Sequence, residues 1–221
     1  NKNKINNDKF ILSKGHGVPI LYCVYAMLGW IKNDELMTLR QIDSRLQGHP
    51  DRVALEFLDS GSGALGQGIS ISIGFALAQK MKNKKSSSYC IVGDGEMQEG
   101  QIWEAAMYAG SHNLNNLCVI LDNNKMQNET YTNKTLDVMP LKEKWKAFKW
   151  NVIEIDGHSF KEIHQAFKKF YLERKKPTVI IANTIKGKGV SFMEDKTTFH
   201  YNPPSDDELE LAKKEIVSKY K

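Results

Sequence analysis

Ser88-Tyr89-Cys90-Ile91-Val92-Gly93-Asp94-Gly95 is the stretch that decides the fold. A short apolar run stops on Gly-Asp-Gly, as a buried strand does when it enters a tight turn. The pattern returns at Leu117-Cys118-Val119-Ile120-Leu121, which stops on Asp122-Asn123-Asn124. Between them, Gly100 to Asn113 is amphipathic at helical spacing. Toward the carboxyl end, Asn151 to Ile155 and Thr178 to Ala182 read as strands. Ser159 to Phe170 reads as a helix with a serine cap. The tail from Asp206 reads as a helix capped by Ser205 or Asp206. Toward the amino end, Gly68 to Met81 reads as a helix that Gly66 and Gly68 allow to start close against a neighbour. Val18 to Trp30 is almost wholly apolar and reads as a buried helix. Asn33-Asp34 caps another through about Ile42, and Gly48 to Gly68 is loop-like. Alternating helices and continuous apolar strands predict an α/β fold, a doubly wound parallel sheet with helices on both faces.

The composition agrees. The 221 residues, 41% hydrophobic and 26% charged, suit one globular domain with a sizeable core. No apolar run approaches the roughly 20 residues that span a bilayer, which argues against a membrane partner. The opening NKNKINNDKF has no apolar segment of the kind a secretory signal needs. The net charge of +5 is scattered in small clusters at Lys82–Lys85, Lys168–Lys169 and Arg174–Lys176. Without interleaved aromatics these read as solvated surface, so no nucleic-acid partner is expected. Cys23, Cys90 and Cys118 form no CxxC pair and read as reduced core thiols of a cytoplasmic protein.

Parallel sheets collect function at the carboxyl ends of their strands, near a topological switch point. Asp94 and Asn124 end two strands joined by one crossover, so adjacent strands would bring their side chains to one rim. A carboxylate and an amide oxygen are hard ligands, suited to Mg²⁺ or Ca²⁺. Gly93 and Gly95 let backbone approach a bulky anion and leave N–H groups to donate. Each feature alone is an ordinary turn. At this spacing they point together to a metal–diphosphate.

On these residues the chain resembles the transketolase family. Gly93-Asp94-Gly95-Glu96 followed by Asn123-Asn124-Lys125-Met126 is similar to the thiamine-diphosphate motif. The run from Lys9 through Lys14-Gly15-His16-Gly17, then Gln47-Gly48-His49-Pro50, Gly63-Ala64-Leu65-Gly66-Gln67-Gly68 and Lys186-Gly187-Lys188-Gly189, resembles transketolases in the same order. The resemblance runs from about Asp8 to the end. It implies thiamine diphosphate and Mg²⁺, with Ca²⁺ or Mn²⁺ as substitutes. Asp94, the Asn124 side chain and the Met126 carbonyl would hold the metal. Gly95, through its N–H, and Glu96 would line the diphosphate site. Gly63, Ala64 and Leu65 would contact the cofactor. His16, Lys186 and His200 resemble diphosphate and active-site contacts, His49 a substrate-side histidine, and Glu99 the residue that meets a glutamate of a partner chain. The hard chemistry would belong to the cofactor, with His16, His49 and His200 moving protons. His112, His158 and His164 read as structural.

The resemblance covers one domain, residues 1–221. A pyrimidine-binding domain and a C-terminal domain are absent, as is an early segment with a substrate histidine that would precede Asp8. Either the N-terminus is trimmed or the chain departs from the pattern there. Phe199 stands where the family usually has Trp. These features resemble the N-terminal subunit of a split transketolase, which implies a C-terminal partner subunit, an α2β2 assembly and sugar or sugar-phosphate substrates. Two other readings are a different thiamine-diphosphate carboligase, like deoxyxylulose-phosphate synthase or a dehydrogenase E1 subunit, and a non-catalytic cofactor subunit. A haloacid-dehalogenase-type phosphatase is disfavoured, since no Asp-x-Asp occurs and Glu96-Met97-Gln98 follows the turn.

Overall fold

The computed structural model describes residues 8–219. Five strands, β1 (Lys9–Leu12), β2 (Ser88–Gly93), β3 (Leu117–Asn123), β6 (Asn151–Asp156) and β7 (Thr178–Asn183), form one sheet in the order β1-β2-β3-β7-β6. Every neighbouring pair is parallel. The four expected strands are present, each extended by one or two residues. β1 was not anticipated as a strand, because four residues at a sheet edge are too few to show a period.

Strand alternation sends side chains to two faces. Val92, Val119, Leu121 and Ile181 face one cluster with α2 (Gln67–Met81), α3 (Gly100–Ser111) and α5 (Leu141–Ala147). Cys118, Ile180 and Ala182 pack on the other face against α6 (Phe160–Leu172). The end of β1 packs there against α1 (Val18–Met27) and the loop residues Leu46, Leu55 and Leu58. The sheet is therefore doubly wound. β3 does not lead to its neighbour. The chain passes through a small hairpin of β4 (Met126–Gln127) and β5 (Thr130–Tyr131), then α4 (Thr132–Thr135) and α5, and places β6 outermost. β7 then returns to fill the gap, so the tips of β3 and β7 lie side by side. Right-handed crossovers put α6 on the opposite face from α5 when the direction reverses.

Several helices start as anticipated. Ser159 caps α6 by accepting from the Glu162 N–H at 3.3 Å, and Ser205 caps α7 (Asp206–Lys219) by accepting from the Glu208 N–H. α2 starts close against β1. A Cβ at Gly68 would lie 2.5 Å from the Ser13 Cβ, so only glycine fits. Three expectations need correction. The segment after Asn33 forms only a 3₁₀ turn, Asp34–Thr38, since its hydrogen bonds reach three residues and stop. α1 is apolar all round yet only half-buried, with Ile20 67% and Met27 87% exposed. Cys23 lies on its exposed side, while Cys90 and Cys118 are core thiols. Among the described residues no helix is long and apolar enough to cross a membrane. The amino-terminal stretch read as lacking a secretory signal lies largely outside them.

Candidate active site

The parallel register sets Gly93 beside Asp122. The next residue, Asp94, donates its N–H to the Asp122 carbonyl at 3.2 Å. The turn after β3 folds back, with Lys125 at φ 65°, and the Lys125 N–H reaches Asp94 Oδ2 at 2.5 Å. The Gly95 N–H donates to Asp94 Oδ1 at 2.9 Å. Asn124 Oδ1 accepts from the Met126 N–H at 2.9 Å. Asp94 and Asn124 thus share one rim.

Asp94 is buried, and among the described residues no cationic side chain forms an ion pair with it. Burial pushes its carboxyl up to about 6, against two backbone N–H bonds and Lys14, which pull it down. A carboxylate with two N–H bonds keeps lone pairs free. A buried, unpaired carboxylate beside an amide oxygen fits a small hard cation whose remaining ligands are phosphate oxygens and water.

A set of basic groups stands on the same rim. Lys186 Nζ lies 3.2 Å from His200 Nδ1. The His16 and His200 rings are 5.2 Å apart. Burial, then Lys14, His200, Lys186 and His49, push His16 down to about 4. His16 is therefore neutral at pH 7, although one edge is open to solvent. Burial followed by Lys186 and Lys14 lowers His200, and burial followed by Lys14 lowers Lys186. Groups that depress one another in this way form a cationic cradle that an incoming dianion relieves. His49 reaches it from the loop after α1, where the Tyr22 hydroxyl donates to the carbonyls of Gln47 and His49. The His49 ring lies 3.6 Å from where a Cβ at Gly63 would stand, which brings the Gly63-Ala64-Leu65 loop to the same place. Gly66 turns that loop into α2 at φ 83°.

Two residues expected at the diphosphate make contacts within the chain. The Gly95 N–H, anticipated at the diphosphate, is given to Asp94. The Glu96 carboxylate, anticipated along the same site, is buried and accepts from the Ser13 hydroxyl, the Gly66 N–H at 2.6 Å and the Gly93 N–H at 3.0 Å. A buried carboxylate must find such donors, and here it pins together the ends of β1 and β2 and the start of α2. Glu99 stands exposed at the start of α3, where its carbonyl accepts the Ile102 N–H at 3.1 Å and its side chain makes no capping hydrogen bond. Met126 opens β4 with a buried side chain. His158 is structural, since Nε2 accepts the Ile185 N–H at 2.8 Å and props the segment leading to Lys186.

Three polar residues at this rim carried no individual signal. Lys14 Nζ pairs with Asp122 Oδ2 at 2.5 Å, and the Thr184 hydroxyl donates to Asp122 Oδ1. Lys14 and Asp122 belong to separate sequence motifs, and only the fold brings them together.

A doubly wound parallel sheet with a carboxylate, an amide oxygen and a cationic cradle at its carboxyl rim defines a domain suited to a diphosphate cofactor. The family model of the transketolase thiamine diphosphate binding domain matches residues 1–220, and the chain belongs to this family. It is 45% identical to the 6-deoxy-6-sulfo-D-fructose transketolase subunit SqwG of Clostridium sp. (strain MSTE9), over 87% of this chain and 70% of that protein. It is 40% identical to an apulose-4-phosphate transketolase subunit of Actinobacillus succinogenes, over 95% of this chain and 75% of the relative. The crystal structure of transketolase from Campylobacter jejuni superposes with a TM-score of 0.91 at 30% identity. That match covers 98% of this chain but 35% of the solved one, so the chain spans about a third of a whole transketolase.

Proposed function

We propose that this chain is the diphosphate-binding subunit of a two-component transketolase, a magnesium- and thiamine-diphosphate-dependent transferase of two-carbon ketol units from a ketose or ketose phosphate to an aldose or aldose phosphate. The joined tips of β2 and β3, facing a rim of Lys14, Lys186, His16 and His200, carry this reading. Asp94, Asn124 and the Met126 carbonyl would hold the metal. Bound thiamine diphosphate would supply the carbanion chemistry. Lys186 matches diphosphate charge, and neutral His16 can accept a proton or donate an N–H at pH 7. His49 and His200 stand where sugar hydroxyls would need proton handling. Gly63, Ala64 and Leu65 form a loop wall against the cofactor. Glu99 is exposed and suited to a second chain that supplies the pyrimidine-binding domain. Relatives of comparable length are named as subunits, which supports a heteromer, an α2β2 assembly by our reading. Their named sugars, a sulfofructose and apulose 4-phosphate, both carry an anionic group, and an anionic ketose is proposed here too.

The test is ketol transfer with thiamine diphosphate and Mg²⁺, measured for the chain alone and for the chain with the subunit that co-purifies from its own cells. Activity is expected only in the pair. Robust transfer by the chain alone would contradict the two-component assembly. Turnover of pyruvate or other 2-oxo acids in place of ketose phosphates would reassign the reaction.

A further inference from the structure

Asp122 sits where three strand tips meet. Its Oδ2 is 2.5 Å from Lys14 Nζ, just beyond β1. Its Oδ1 accepts the Thr184 hydroxyl, just beyond β7. The Asn124 Nδ2, on its own strand's exit, lies 3.4 Å from Oδ2. Strand order makes this convergence. β7 inserts beside β3, pairing Asp122 with Ala182, so Thr184 emerges within reach of it. The Lys14 stem crosses Gly93, passing 3.7 Å from where a Cβ would stand.

A free lysine forfeits rotamer freedom when it is fixed on a ligand. A lysine already tied to a half-buried carboxylate has forfeited much of it beforehand. The same carboxylate holds the NH₂ end of the Asn124 amide, which fixes which end of that amide is the oxygen donor. Around Lys14 stand Lys186, His16 and His200, and Lys14 lowers the proton affinity of all three. With His16 neutral at pH 7, Lys14 and Lys186 stand against two carboxylates, Asp122 and Asp94, so the pair orients Lys14 while Lys186, without an ion pair among the described residues, still faces an incoming anion.

We propose that Asp122 is a positioning residue that fixes the Lys14 ammonium and the Asn124 amide as one unit, cation arm and metal ligand together, facing the diphosphate. This rests on the cofactor reading above. Thr184 is its brace: by donating to the second carboxylate oxygen it keeps the first turned to Lys14.

A double-mutant cycle tests it. Binding of magnesium pyrophosphate to the full chain is measured by calorimetry for wild type, Asp122→Asn, Lys14→Met and the pair. Pyrophosphate needs only this chain's groups, so no partner subunit is required. Each single change should weaken binding by roughly 10- to 100-fold, the usual cost of losing a group that orients a ligand. The double variant should lose no more than the weaker-binding single variant, because both act through one contact. Asp122→Asn should also weaken Mn²⁺ alone, read by electron paramagnetic resonance, whereas Lys14→Met should not. A purely structural ion pair would not separate the two in this way. If Asp122→Asn does not fold, Thr184→Val removes one brace without stranding a charge and should give a smaller loss in the same direction. Additive losses, unchanged affinity, or tighter binding in Asp122→Asn would overturn the proposal, the last showing that Asp122 competes with the diphosphate for Lys14. A wild-type chain that binds no magnesium pyrophosphate would overturn the cofactor reading itself.

Discussion

Trp145 and Asp94 are both sealed from solvent, at 0% and 1% exposure, in regions built on opposite terms. Around Trp145 the chain buries apolar surface. Trp150 meets its ring edge-on at 4.7 Å, Trp103 lies at 5.7 Å, and Leu117, Leu121 and Leu141 are fully buried in the same cluster. Each buried aliphatic side chain there contributes about 1.5–3 kcal/mol. Around Asp94 the chain buries carboxylates instead, at Asp94 and Glu96, with the mostly buried Asp122 between them, and bends backbone into left-handed conformations at Gly66, Lys125, Asn128 and Gly187. Burial raises Asp122, yet Lys14 and the bonds from Lys14, Thr184 and Asn124 hold it below the ordinary carboxylate range. The interior stabilises the fold. The rim costs stability and keeps ligand atoms available.

Breaking the interior should have the largest effect. Trp145→Ala should destabilise the chain by about 3–5 kcal/mol in urea unfolding, as other buried aromatic truncations do. A loss under about 1 kcal/mol would mean that this cluster does not carry the fold. At the rim the order reverses. Asp94→Ala should abolish magnesium-dependent binding of thiamine diphosphate by the assembled enzyme. Its unfolding free energy should change by less than about 1 kcal/mol, because losing two backbone N–H bonds is offset by relieving a buried, unpaired carboxylate. Retained activity in the holo-complex would remove Asp94 from the ligand set. Glu99→Gln should lower turnover with partner on the order of tenfold, about 1.4 kcal/mol of barrier, and leave cofactor affinity nearly unchanged. Unchanged turnover would remove its role across the interface.

The smallest effect sharpens the contrast through pH. Burial, then Lys14 and the other basic groups, lower His16 from its ordinary value of 6.5 to about 4 in the folded chain. Between those values the unfolded chain binds more protons, so stability falls as pH drops. The contribution is complete above pH 6.5 and is lost on approach to 4. Nuclear magnetic resonance should place the His16 midpoint near 4, and His16→Gln should flatten this part of the stability profile. A midpoint near 6.5 would show that the cradle does not crowd that ring.

The alternation of strands and helices was legible because each apolar run carries its period within a few residues, as at Cys90–Val92 and Val119–Leu121. The pairing of Asp94 with Asn124 was legible because one crossover makes the two strands neighbours. Less could be read where neighbours come from far along the chain. The Val18–Met27 helix looked buried because its composition is apolar, but burial depends on what packs against it. α5 was missed since Leu141 to Ala147 is short and lysine-rich, and its burial rests on two residues, Leu141 and Trp145.

By itself the sequence determined an α/β sheet, a polar rim at the strand tips and a transketolase resemblance, because strand tips and glycine turns are local patterns. Only the tertiary structure decided which polar groups the protein turns on itself. It gave Glu96 to Ser13 and Gly66, and Lys14 to Asp122. The reason is that β1 and β2 lie beside β3 and that α2 starts against the end of β1, a packing arrangement made by residues far apart in the chain, and it sets which side chains share a hydrogen bond.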